Sequence, residues 1–153
     1  MTITEVKQDL FEPGIHGIFA HCISADFALG AGIAREFAKR HVKDSLNSLY
    51  NDFTWVDHGI ALYTYMPETY GVYNLVTKEH YFDKPTYKSL KEALVSMKEQ
   101  IECSSLYACS DEPIKIVMPK IGCGLDKLDW SKVKLIIKET FCGMDVDIIV
   151  CYI

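Results

Sequence analysis

Gly17-Ile18-Phe19-Ala20-His21-Cys22-Ile23 runs straight into Ser24-Ala25-Asp26-Phe27-Ala28-Leu29-Gly30-Ala31-Gly32-Ile33-Ala34. The first seven residues are nearly continuously apolar, the pattern of a central strand buried on both faces. Beyond the glycines, residues 31–40 put Ile33, Ala34, Phe37 and Ala38 on one helical face. A buried strand, a glycine-bearing loop and an amphipathic helix in succession point to an α/β fold.

The flanking sequence repeats this alternation. Residues 3–7 read as a strand, and Leu46, Leu49 and Tyr50 mark a second short helix before an Asn51-Asp52 turn. Residues 59–65 and 71–77 are two strands whose connection, Met66-Pro67-Glu68-Thr69-Tyr70, is short enough to make them neighbours. The clearest helix spans 86–101: Tyr87, Leu90, Leu94, Met97 and Ile101 follow a 3.6-residue period, and Pro85 and Thr86 supply the starting chemistry. Ile114–Met118 reads as another buried strand. Asp129 caps a helix with Trp130, Val133, Ile137 and Phe141 on one stripe, and Val146–Tyr152 is a last strand. The expected architecture is a three-layer α/β fold, a sheet covered by helices on both sides, in one domain over residues 1–153.

Composition narrows the function classes. With 49% hydrophobic and 24% charged residues the 153-residue chain is neither disordered nor collagen-like. Sixteen basic against 21 acidic residues, a net charge of −5, argue against nucleic-acid or anionic-lipid affinity driven by bulk charge, though not against a local anion site. No apolar run reaches the ~18–20 residues that span a bilayer, and the first residues lack a secretory pattern. A soluble, cytoplasmic monomer with no membrane partner is expected. The six cysteines form no C-x-x-C pair, and the five histidines lack zinc-site spacing. No metal, cofactor or structural disulfide is expected.

In open α/β sheets ligands gather where strand ends lead into helix starts. Two glycine loops occupy such places: Leu29-Gly30-Ala31-Gly32-Ile33-Ala34, and Pro119-Lys120-Ile121-Gly122-Cys123-Gly124-Leu125-Asp126. Successive N–H groups at such loops cradle anions, and two cradles on one rim suit a diphosphate. Neither loop is a P-loop or a full G-x-G-x-x-G fingerprint, and tight turns alone would also use these glycines. Three side chains stand out. Asp9 would accept a hydrogen bond from a base amino group, or serve as a simple cap. Lys78 would clamp a phosphate or act as a nucleophile, or be a solvated strand-end lysine. Asp126 would contact a ribose hydroxyl or assist a proton transfer, or be a turn residue.

The run from His21 to Ala34 resembles the first ligand loop of macrodomains, and within them the branch that contains terminal ADP-ribose protein glycohydrolase. Leu75-Val76-Thr77-Lys78 with Lys84-Pro85-Thr86-Tyr87, the run Met118 to Asp126, and Asp9-Leu10-Phe11 agree with that branch in the correct order. The resemblance implies a mixed, roughly six-stranded sheet with ADP-ribose lying across its rim. It puts Asp9 and Leu10 at the adenine, and His21 and Ser24 among the ligand-binding residues. Gly30, Ala31, Gly32 and Ile33 would wrap the distal ribose and its phosphate, while Ile121, Gly122, Cys123, Gly124 and Leu125 would hold the diphosphate. Lys78 and Asp126 fall where the branch keeps its catalytic pair.

The implied reaction cleaves ADP-ribose from a protein carboxylate. An uncharged Lys78 amine attacks C1″ while Asp126 handles protons, and Lys84 or Lys120 would help to keep that amine uncharged. ADP-ribose, or ADP-ribosylated protein or DNA, is the implied partner. A phosphatase acting on ADP-ribose 1″-phosphate and a non-catalytic ADP-ribose reader are the alternatives. The chain departs from the family at Gln8, where many members carry glycine, and at His21-Cys22-Ile23-Ser24, where many carry asparagines. The loop Glu79-His80-Tyr81-Phe82-Asp83 is also more acidic and aromatic than the basic version expected; Tyr81 or Phe82 would cover the ribose or pack on the surface.

Overall fold

The computed structural model describes residues 1–12 and 15–153. Among these residues lie six strands and five helices: β1 Thr2–Lys7, β2 Ile18–Ser24, α1 Gly32–Ala38, α2 Val42–Leu49, β3 Ile60–Thr64, β4 Val72–Lys78, α3 Tyr87–Glu102, α4 Ser105–Cys109, β5 Ile114–Met118, α5 Trp130–Phe141 and β6 Val146–Tyr152. They form one sheet in the order β1-β6-β5-β2-β4-β3. Every pairing is parallel except that of β3 with β4, so the sheet is mixed.

The layers follow from the side-chain periods. On one face Leu90, Leu94, Met97 and Ile101 of α3 and Val133, Ile137 and Phe141 of α5 pack against Ala20, Leu75, Ile116 and Ile148 of the strands. On the other, Phe37 of α1 and Val42 and Leu46 of α2 meet Phe19, Ile23, Val72, Val76 and Val117. This second layer is shorter than expected for a sheet covered on both sides. Thr2, Thr4 and Lys115 remain exposed there, and Val6, Asp147 and Ile149 half-exposed. The two helices of that layer follow β2 directly and contact β2 and β3, so they do not reach the β1–β6 end.

Local chemistry sets the helix starts. Thr86 and Ser89 form a reciprocal capping box on α3, and Asp129 accepts from Ser131 N on α5. α1 begins at Ala31 without any side-chain cap, leaving its first-turn N–H groups without a side-chain acceptor. β2 and β4 each extend one residue beyond expectation, to Ser24 and Lys78, through a register shift between Ile23 and Ser24. α4 is an addition; five residues are too few to show a helical period. Among the described residues no helix is long and apolar enough to cross a membrane.

Candidate active site

β1, β6, β5, β2 and β4 all end on the same rim, because each runs parallel to its neighbour. β2 continues into α1 on one face, whereas β5 leads to α5 on the other, and a crevice opens where the two connections diverge. A cleft of about 970 Å³ occupies this rim, in the range of small-molecule and cofactor sites. Gln8, Asp9 and Leu10 line it beyond β1, and Cys151, Tyr152 and Ile153 at β6. The two glycine loops follow in the middle, with Lys78, Tyr81, Phe82 and Lys84 beyond β4. Four strand intervals separate β1 from β4, so the cleft is about 19 Å long.

The first loop is held by one carboxylate. Asp26 accepts hydrogen bonds from Ser24 Oγ, from Ala28 N at 3.1 Å and from Tyr81 N at 2.9 Å. Burial works to raise its pKa, but the Ser24 hydroxyl and the Tyr81 and Ala28 N–H groups outweigh that, and the carboxyl sits below its ordinary value. Phe27 and Leu29 adopt left-handed backbone, with φ of 54° and 41°, which costs a residue with a Cβ about 1–2 kcal/mol. Their buried side chains in the second core hold them there. Gly32 has a φ of +60°, and a Cβ on it would lie 3.4 Å from Leu125 Cδ1, so the two loops meet across the cleft.

The second loop is a series of tight turns: Cys123 N donates to Lys120 O at 3.1 Å, Lys127 N to Gly124 O at 3.1 Å and Leu128 N to Gly122 O at 2.8 Å. Ile121 anchors it in the core, and Lys84 Nζ donates to Leu125 O at 3.2 Å. Gly122 needs to be glycine for its backbone: its φ is +71°, while a Cβ would come within 2.9 Å of only the mobile tip of Leu128, Cδ1.

Between the loops, Lys78 Nζ donates to Asp126 Oδ1 at 2.7 Å, with side chains only 12% and 17% exposed. The backbone of Lys78 is held by Ala25 N, which donates to its carbonyl at 2.9 Å. Two thiols share this part of the cleft. Burial pushes the Cys22 thiol up, and the nearby Asp126 and Cys123 push it further. Burial, with Asp129, raises Cys123 to about 11. Both stay protonated near neutrality and are poor nucleophiles. Among the described residues, which include all six cysteines, no disulfide forms.

The structure brings Asp9, Leu10, Ser24, Gly30, Ala31, Gly32, Ile33, Lys78, Ile121, Gly122, Cys123, Gly124, Leu125 and Asp126 to the one cleft. Asp9 Oδ1 also accepts from Phe11 N at 2.8 Å, so it both caps a turn and faces the cleft. His21 does not line it: it is wholly buried and stacked on Phe37 at 3.9 Å. Asn74 Nδ2 donates to Leu62 O and Thr64 Oγ1, both at 2.9 Å, which turns Oδ1 toward His21 Nε2 at 2.6 Å. Nε2 therefore carries the proton, and Nδ1 is left without a partner. His21 lies three residues before the last residue of β2 and on the face that packs against α1. A buried strand gives no sequence sign of which side chains reach the rim. Asp26 braces the loops without lining the cleft, and the Ser24-x-Asp26 spacing is its only local sign in the sequence. Lys120 sits nearer the β1–β6 end, with Nζ 3.9 Å from Glu5 Oε1 and 4.6 Å from the centre of the Tyr152 ring.

No family model matches the chain. It is 36% identical to human ADP-ribose glycohydrolase OARD1 over 150 residues, covering 97% of this chain and 90% of that protein. The bovine protein of the same name matches over the same shares. Uncharacterized protein 032R of Invertebrate iridescent virus 6 is 37% identical over 82 residues, 54% of this chain and 75% of that one. Among solved structures, the macrodomain of Mycobacterium tuberculosis DarG superposes with a TM-score of 0.78 at 19% identity, covering 98% and 97% of the two chains. Thermosipho africanus DarTG in complex with ADP-ribose superposes at 0.67 and 15% identity, covering 98% of this chain and 41% of that one. The structural likenesses speak for the fold, and the identity to OARD1 along almost the whole chain narrows it further: this chain belongs to the macrodomain family, in its ADP-ribose glycohydrolase branch.

Proposed function

We propose that the chain binds ADP-ribose along the cleft and hydrolyses ADP-ribosyl groups from carboxylate side chains of proteins. The observation that carries this reading is the Lys78–Asp126 contact, 2.7 Å long and largely enclosed, at the end of a cleft of about 970 Å³ floored by two glycine loops. Relatives named ADP-ribose glycohydrolase and a neighbour holding ADP-ribose support the ligand class. In this reading Asp9 and Leu10 receive the adenine. The Gly30–Ile33 and Ile121–Leu125 backbone N–H groups hold the distal ribose and the diphosphate, which suits a chain of net charge −5 that needs a local rather than a global anion site.

The chemistry follows from the pair. An ammonium has no lone pair, so Lys78 must first give up a proton, and Asp126 Oδ1 is the acceptor in contact with it. The free amine attacks C1″; the C1″–N bond forms as the C1″–O bond to the carboxylate breaks, and the carboxylate leaves as the anion. Water then displaces the lysine, releasing ADP-ribose and restoring the amine. The raised thiols of Cys22 and Cys123 support Lys78 over sulfur as the nucleophile.

Turnover of a glutamate-linked ADP-ribosyl protein tests the scheme. Lys78→Ala and Asp126→Ala are each expected to lower kcat by about 100-fold or more, roughly 2.7 kcal/mol, while ADP-ribose affinity by calorimetry changes less than about fivefold. Intact-mass analysis of the wild type should trap a lysyl–sugar adduct that Lys78→Ala lacks. Undiminished turnover by Lys78→Ala would remove it from this role.

A further inference from the structure

We infer that Tyr81 and Phe82 form the subsite for the departing group, and that with Glu79 they select a polypeptide whose residues flanking the modified side chain are apolar or basic. The inference rests on the hydrolase reading above and names the partner side of that site. Both rings line the cleft, yet they are 66% and 67% exposed. They belong to the loop directly after Lys78, at the opposite end from Asp9, so they flank the reacting bond rather than the adenine.

The loop is built, not slack. Tyr81 N donates to Asp26 Oδ2 at 2.9 Å, and His80 N donates to Asp83 Oδ2 at 2.9 Å. The Phe82 ring stacks on His80 at 5.0 Å and 3°, and Tyr81 stands edge-on to Phe82 at 5.4 Å and 82°. Two rigid rings at right angles make an apolar corner that loses little entropy when a chain settles into it. The charge beside the corner is acidic. Glu79 and Asp83 bracket His80 at 3.9 and 3.1 Å; Lys78 is paired with Asp126, and Lys84 keeps its charge but is drawn to the Leu125 carbonyl. A nucleic-acid leaving group would bring phosphates to these carboxylates, whereas lysines or arginines on a polypeptide would be drawn to them.

The test uses one ADP-ribosylated glutamate in two peptides, one with Lys and Leu flanks and one with Asp flanks, together with ADP-ribosylated single-stranded DNA. The wild type is expected to favour the first by about tenfold in kcat/KM. Tyr81→Ala combined with Phe82→Ala should raise KM for it about tenfold and leave ADP-ribose affinity within twofold. Glu79→Lys should erase the preference between the two peptides. Equal turnover of all three substrates, an unchanged KM in the double variant, or a parallel loss of ADP-ribose affinity would each overturn the inference while leaving the hydrolase reading intact. A wild type that turns over none of them refutes both. The rings are exposed, so an unchanged Tm verifies that the double variant is folded.

Discussion

Acidification should unfold this protein in part through His21. Burial holds its imidazole down from 6.5 to about 4, against the opposing pull of its Asn74 hydrogen bond. The unfolded chain takes up a proton on this ring below about 6.5, but the folded chain does so only near 4, so protons favour unfolding across that window. The full difference corresponds to about 3 kcal/mol, and about 2 kcal/mol of it should be lost between pH 7.5 and 5. Other groups titrate as well, so the measurement is a comparison with His21→Gln. Its side-chain amide can still donate to Asn74 Oδ1 but does not titrate. Urea unfolding at pH 7.5, 6, 5 and 4 should show the wild type losing stability faster than the variant down to about pH 4, below which the gap levels off. A gap independent of pH would mean that the ring titrates alike in the folded and unfolded chain, and the reasoning from burial would fail.

Asp26→Ala removes an acceptor shared by three donors on two loops. Because the residue is exposed, we expect only about 1–2 kcal/mol of stability, but a drop in kcat/KM of at least tenfold and faster amide exchange at residues 27–30 and 79–83. Since its folded carboxyl lies below the ordinary value, the stability it adds should be full above about pH 4 and vanish as the pH falls through the folded value. Gly122→Ala forces a Cβ into left-handed backbone and to within 2.9 Å of Leu128. About 1–2 kcal/mol of stability should go, and calorimetry should find ADP-ribose binding weakened; full affinity would show that this turn does not shape the diphosphate site.

What local sequence could determine, it did. β5 and β6 have the bounds read from their apolar runs, and α3 and α5 start where Thr86 and Asp129 can accept backbone N–H groups. Those signals lie within a few residues of the feature they specify, and the macrodomain motifs are equally local. The order of the strands is not. β5 enters between β6 and β2, and that insertion carries Asp126 to Lys78 across 48 residues of sequence. Asp26 meets Tyr81 across 55 residues, and His21 meets Asn74 across 53. A continuously apolar strand is read the same from either face, so only packing against Phe37 of α1 could turn His21 away from the cleft.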